Sequence, residues 1–237
     1  MASASFAALL RQGSLTHLEW LERCASRLDA DGVVLALADF PRTDGEYAAQ
    51  VKKVAVDLGI VPVALEVPGL LDPDRPDDDR TAALALAAGT GAALIRVTAG
   101  PPGALPPETF ARMVATTKAF VSAAKAANVT LTVAPAPATR LPSLAEVQNF
   151  TKYVDSAWLR YDLPATSPER VQLAPRDRVL VEGFGLDDDP QLLASASRAW
   201  LVVEGDGGDD PFGRVGTLIG TLRSLGQRPQ MPSVVPG

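Results

Sequence analysis

Short apolar runs that stop at a charged residue or a Gly/Pro-rich loop alternate along this chain with longer stretches whose apolar positions recur every third or fourth residue. The first pattern is that of strands buried on both faces, the second that of helices with one face on a core. Strands are expected at 33–38 (VVLALA, running into Asp39), 61–67 (VPVALEV), 93–98 (ALIRVT), 129–134 (VTLTVA), 157–162 (AWLRYD), 178–182 (RVLVE) and 199–204 (AWLVVE). A weaker strand at 1–6 (MASASF) completes a set of eight.

Between them lie the helices. Thr16 with Glu19, Thr43 with Glu46 and Ser143 with Glu146 have the spacing of capping boxes, and Gly59 marks a helix end. The run DPDRPDDDR at 72–80 reads as a solvated loop leading into a helix, since aspartates favour a helix amino terminus. Pro106-Pro107 opens a long Ala-rich helix, a short connection surrounds Pro168–Leu173, Asp189-Pro190 starts another helix, and Gly216–Leu225 is the last. Regular alternation of strand and helix predicts an α/β chain with a parallel sheet, and eight units predict a (β/α)8 TIM barrel over residues 1–226. The Pro-rich tail 227–237 follows it. An open doubly wound sheet is the alternative, but neither G-x-G-x-x-G nor a P-loop is present to hold a phosphate.

Side chains alternate across a strand. Counting by twos from the carboxylates at the strand ends collects Glu66, Arg96, Thr98, Thr132, Ala134, Arg160, Asp162, Glu182 and Glu204 on the inward face. The opposite face takes Val63, Leu65, Ile95, Val97, Leu131, Val133, Leu159, Tyr161, Val179, Val181 and Val203. Acids and arginines this close in a dry interior form either a self-satisfied ion-pair network or a polar pocket for a small polyhydroxylated ligand. Barrel enzymes place their sites at the carboxyl-terminal rim, which favours the pocket.

Charge narrows the partners. A net charge of −6 argues against nucleic acid, and no apolar run is long enough to cross a membrane. The start MASASFAALLRQG lacks a basic, signal-like beginning, so a cytoplasmic location is expected. His17, the single histidine, falls in a helix rather than at a strand end, and the single Cys24 falls at core spacing with Leu18, Leu21 and Leu28.

The stretches SFAALLRQGSLTHLEWLERCASRLDADGVVLALADFP, DGEYAAQVKKVAVDLGIVPVALEV and AWLVVEGDGG, in this order and spacing, resemble the sugar phosphate isomerase/epimerase family of xylose-isomerase-like TIM barrels. The resemblance implies proton transfer beside a sugar carbonyl. It also implies a divalent metal held by Glu, Asp, His and Glu after the fifth to eighth strands. Asp162 and Glu204 match the second and fourth of these positions, whereas Ala134 stands at the first, and the third falls near Leu180 or Glu182. The expected function is therefore binding of, or acid/base chemistry on, a small sugar or polyol. Glu204, Asp162 and Glu182 would be catalytic, with Arg96, Arg160 and Glu66 binding substrate. Mn or Mg on Asp162 and Glu204, and the absence of any metal, stay equally open. The alternative is a non-catalytic homologue serving as a binding or scaffolding subunit, and a homodimer is permitted without being required.

Overall fold

The computed structural model describes residues 1–165, 179–190 and 199–224. Its strands are β1 (Gly32–Ala36), β2 (Val61–Val67), β3 (Leu94–Val97), β4 (Thr130–Val133), β5 (Leu159–Pro164), β6 (Val179–Gly185) and β7 (Trp200–Glu204). All neighbours pair parallel in sequential order. The helices are α1 (Ala7–Arg11), α2 (His17–Ser26), α3 (Gly45–Leu58), α4 (Asp77–Thr90), α5 (Pro107–Ala126), α6 (Leu144–Val154) and α7 (Pro211–Ser224). The connection expected around Pro168–Leu173, the helix following Asp189-Pro190 and the tail 227–237 lie outside the described residues.

The strand expected at 1–6 is reduced to one bridge. Ala2 pairs with Val34, its N–H donates to Val203 O at 3.1 Å, and Val34 N–H donates to Met1 O at 2.7 Å. Met1 and Ala2 thus close the sheet between β7 and β1, and Ser3–Phe6 then tightens into a 3-10 turn. The Ser3 hydroxyl secures the seam by accepting from Ala36 N–H at 2.9 Å and donating to Asp39 Oδ2 at 2.8 Å.

Local signals place most of the helix starts. Thr16/Glu19 and Ser143/Glu146 form complete capping boxes at α2 and α6. At α3 the cap is Asp44 rather than Thr43: its carboxylate accepts from Tyr47 N–H at 2.9 Å, one residue later than the expected box. Gly59 and Gly91 end α3 and α4 with φ of 68° and 82°, a conformation that costs other residues about 1 kcal/mol or more. The run at 72–80 is less solvated than its charge suggested. Arg80 is buried and donates to the carbonyls of Leu70, Asp72 and Arg75, fixing the β2–α4 loop against the barrel.

Two cores result. A large one lies between sheet and helices and holds Trp20, Leu35, Leu65, Ile95, Met113, Phe150 and Phe184. A smaller apolar plug of Ala2, Val34, Val63, Ala64, Leu94, Val181 and Val202 fills the barrel below the rim. The plug corrects the expected alternation at two places. Val33 pairs with Pro62 but Val34 with Ala64, so Val63 is an extra residue and joins the interior. Tyr161 pairs with Val179 but Asp162 with Val181, so Leu180 is extra, Val181 turns inward and the parity of β6 is inverted beyond it. Among the described residues no helix is long and apolar enough to cross a membrane.

Candidate functional site

Arg96, in the middle of β3, is the centre of the rim. Its Nε donates to Asp162 Oδ2 at 2.6 Å and its Nη1 to Glu204 Oε2 at 2.8 Å. The same Nη1 lies 3.5 Å from Glu66 Oε2. β2, β5 and β7 thus bring three of the expected site residues onto the guanidinium that β3 supplies. Arg96 is 8% and Asp162 3% exposed, while the side chains of Glu66 and Glu204 retain 29% and 33% exposure. Asp162 therefore holds the arginine from below, and the two glutamates meet solvent. Nη2 of Arg96 makes no hydrogen bond among the described residues.

One cation among three acids leaves an excess of negative charge. Burial raises the pKa of Glu66 above the ordinary carboxylate range; Arg96 opposes the shift, while Glu204, Asp162 and Asp39 add to it. Burial likewise raises Asp162, with Arg96 pulling it back through charge and hydrogen bond. Burial works against the Arg96 cation, but Asp162, Glu204 and Glu66 overcome that and hold it firmly protonated.

Glu204 reaches Arg96 across Gly183 of β6, where a Cβ would overlap Glu204 Oε1. Gly183 was not among the expected site residues. Its sequence signal is a glycine on the strand next to a rim carboxylate, one residue past a buried acid. Ser3 and Asp39 were also missed as a pair, because nothing in MASASF announces that its first serine reaches the next strand.

Glu182 does not join this cluster. The extra residue at Leu180 puts it in register with Leu163 and Leu201, which pack on the helix-facing core, and it is buried there. Arg160 keeps its inward parity two residues below Asp162, half-buried, and makes no hydrogen bond or ion pair among the described residues. Thr132, beside it, is fully buried with no partner for its hydroxyl among the described residues.

Next to the cluster, the loops after β2, β3 and β4 frame an open groove lined by Gly69, Asp72, Asp74, Thr98, Gly100 and Thr139. Thr98 accepts from Gly69 N–H at 2.9 Å, and Arg140 Nη2 lies 3.7 Å from Asp72, so the walls are tied together. A more enclosed, apolar recess at the opposite end of the barrel, lined by Val34, Val63, Trp200 and Leu222, holds none of this chemistry.

The metal site implied by the resemblance does not fit these residues. One oxygen each of Asp162 and Glu204 is already bonded to the Arg96 cation, and Ala134 offers no ligand. His17 is away from the cluster, stacked on Trp20 with ring centroids 5.6 Å apart and buried beneath Phe40. Among the described residues no three His, Cys, Asp or Glu side chains converge in a metal-binding arrangement.

No family model and no curated protein matches the chain. Solved structures do. A xylose isomerase-like TIM barrel/4-hydroxyphenylpyruvate dioxygenase fusion protein is 18% identical with a TM-score of 0.70, over 93% of this chain and 44% of that one. The chain thus spans less than half of the fusion's length. The IolI protein with a bound zinc atom is 12% identical with a TM-score of 0.68, over 95% of both chains. An L-ribulose 3-epimerase is 15% identical with a TM-score of 0.67, over 96% of this chain and 93% of that one. The fold is that of the xylose isomerase-like TIM barrels, as the sequence resemblance implied.

Proposed function

We propose that the rim binds a small sugar or polyol and that Glu204 and Glu66 move a proton beside its carbonyl group. The observation that carries this reading is that the two part-exposed carboxylates share one nitrogen of a fixed guanidinium, Glu204 at 2.8 Å and Glu66 at 3.5 Å. The ion-paired Glu204 carboxylate takes the proton from the carbon next to the carbonyl, and the electron pair moves onto the carbonyl oxygen. Glu66, whose pKa is raised by burial, returns a proton to that carbon. Arg96 Nη2 donates to the enediolate oxygen, and Asp162 is a positioning residue that fixes the guanidinium through Nε. Arg160 is a further donor for a ligand oxygen on the inward face. The likeness to an L-ribulose 3-epimerase adds support, since that protein's name describes inversion beside a ketose carbonyl.

A second reading, a binding subunit without turnover, is favoured by one feature: Arg96 and Asp162 are buried and paired with each other. Ketoses, aldoses and cyclic polyols tested by thermal shift, and by NMR in D2O for C–H exchange beside the carbonyl, separate the two. A ligand that raises Tm and exchanges, with exchange lost in Glu204→Gln, fits the enzyme. A rise in Tm without exchange leaves the binding subunit, and neither effect from any sugar overturns both.

A further inference from the structure

Two of the strands that carry the rim cluster run on into the open groove beside it. Gly69 follows Glu66 by three residues and Thr98 follows Arg96 by two, and both line a space of about 500 Å³. Thr98 thus stands about 7 Å beyond Arg96 along the strand direction. Pockets that take a whole organic ligand measure about 300–1,000 Å³, so the groove has room for a ring with its hydroxyls rather than for the end of a chain. Glu66, Arg96, Asp162 and Glu204 are not among the residues lining it, so this room is additional to the space in front of the cluster.

The polar groups on the groove walls are set for hydroxyls. Asp72 Oδ1 accepts from Asp74 N–H at 3.1 Å and lies 3.7 Å from Arg140 Nη2, which orients the carboxylate. Its Oδ2 makes no hydrogen bond or ion pair among the described residues. Gly100, with φ of 65°, gives Asp72 its place, since a Cβ there would lie 2.9 Å from the Asp72 Cβ. Thr98 Oγ1 accepts from Gly69 N–H at 2.9 Å and keeps its own O–H to donate. A carboxylate oxygen that accepts and a hydroxyl that donates suit sugar hydroxyls, which do both, and Pro68 and Pro101 offer apolar surface to the C–H face of a ring. The nearby arginines are committed, Arg75 to Asp79, Arg112 to Asp74 and Arg140 to both Asp72 and Asp74, so the groove favours an uncharged ligand over an anion.

We propose that this groove holds a second, uncharged sugar ring joined to the one that meets Arg96, with Asp72 selecting it, so that the ligand is a glycoside or disaccharide rather than a single sugar. The inference rests on the sugar reading of the rim and adds the ligand's length and the residue that reads it.

The test compares fructose with four reducing ketose disaccharides, lactulose, maltulose, turanose and isomaltulose, by NMR titration for affinity and in D2O for C–H exchange. At least one disaccharide is expected to bind ten times more tightly than fructose. Asp72→Ala is expected to bring that ratio below twofold, and Thr98→Val to reduce it; should Asp72→Ala not fold, Thr98→Val is read by the same criterion. Fructose that binds and exchanges with no gain from any disaccharide overturns the inference and leaves the rim reading standing. A gain that persists in both variants also overturns it, because the second ring then lies elsewhere. A disaccharide whose gain is lost in Asp72→Ala but which does not exchange upholds the groove and overturns proton transfer at the rim. Binding of none of the five sugars overturns both.

Discussion

Gly183 and Glu204 occupy the space of a single side chain: the carboxylate of Glu204 lies where the Cβ of any other residue at 183 would stand. Gly183→Ala must therefore push Glu204 away from Arg96 or strain β6. Because the Glu204 carboxylate is the free end of a flexible side chain that is 33% exposed, a loss of no more than about 1 kcal/mol is expected, the range of a part-exposed ion pair. In a Glu204→Ala background the same substitution should cost much less, and a double-mutant cycle by chemical denaturation measures the difference. Equal costs in both backgrounds would place the strain elsewhere.

Glu66 sets one side of the pH dependence. Burial raises its folded-state pKa above the ordinary value of 4.5, so the folded protein holds this proton more firmly than the unfolded chain. The stability it contributes is complete below that ordinary value and is lost as pH rises through the raised folded value. Relative to Glu66→Gln, which mimics the protonated acid, wild type should lose stability as pH rises from the ordinary value of 4.5 through the raised folded value. Unfolding by guanidinium across that range tests this, and a relative gain by wild type would contradict it.

His17 acts in the opposite sense. Burial lowers its pKa from 6.5 to about 4, so the neutral ring contributes stability above 6.5 that is lost as pH falls toward 4. The effect amounts to at most about 3 kcal/mol for a shift of this size. An NMR titration of the ring should show its midpoint near 4, and His17→Phe, which keeps the stack on Trp20, should flatten the acid limb.

Cys24 is fully buried, and burial raises its thiol to about 12. It should therefore resist a disulfide reagent at mildly alkaline pH until the protein is unfolded, because the thiolate is the reactive form. Labelling of the native protein at the rate of a free thiol would show that α2 opens readily.

The residues differ in how clearly the sequence announced their places in the fold. Glu66, Arg96, Asp162 and Glu204 were legible because each strand keeps period two between its apolar run and its charged end. Glu182 was misplaced because the extra residue at Leu180 carries no mark in the sequence, yet a shift of one residue moves every later side chain of β6 to the other face. Thr43 and Asp44 can both cap a helix, and only the path of the loop decides between them. The first strand was faint for a physical reason: it contributes one bridge, so it needs none of the β-branched residues that mark the others. Gly183 carried only its place beside an acid as a mark, and the Ser3–Asp39 contact carried none, since both depend on a neighbour distant in sequence.

The single bridge at Ala2 makes the barrel uneven in its resistance to breathing. Along β3 and β4 every amide is shared between continuous neighbouring strands, whereas at the seam Val34 and Ala36 rely on one carbonyl and one hydroxyl from a short terminal segment. Native-state hydrogen exchange should find those two amides opening by local fluctuation, while Ile95 and Leu131 exchange only with global unfolding. The seam adjoins Asp39 and, through it, the acids around Arg96, so a ligand that bridges the rim would slow exchange there before it raised the melting temperature.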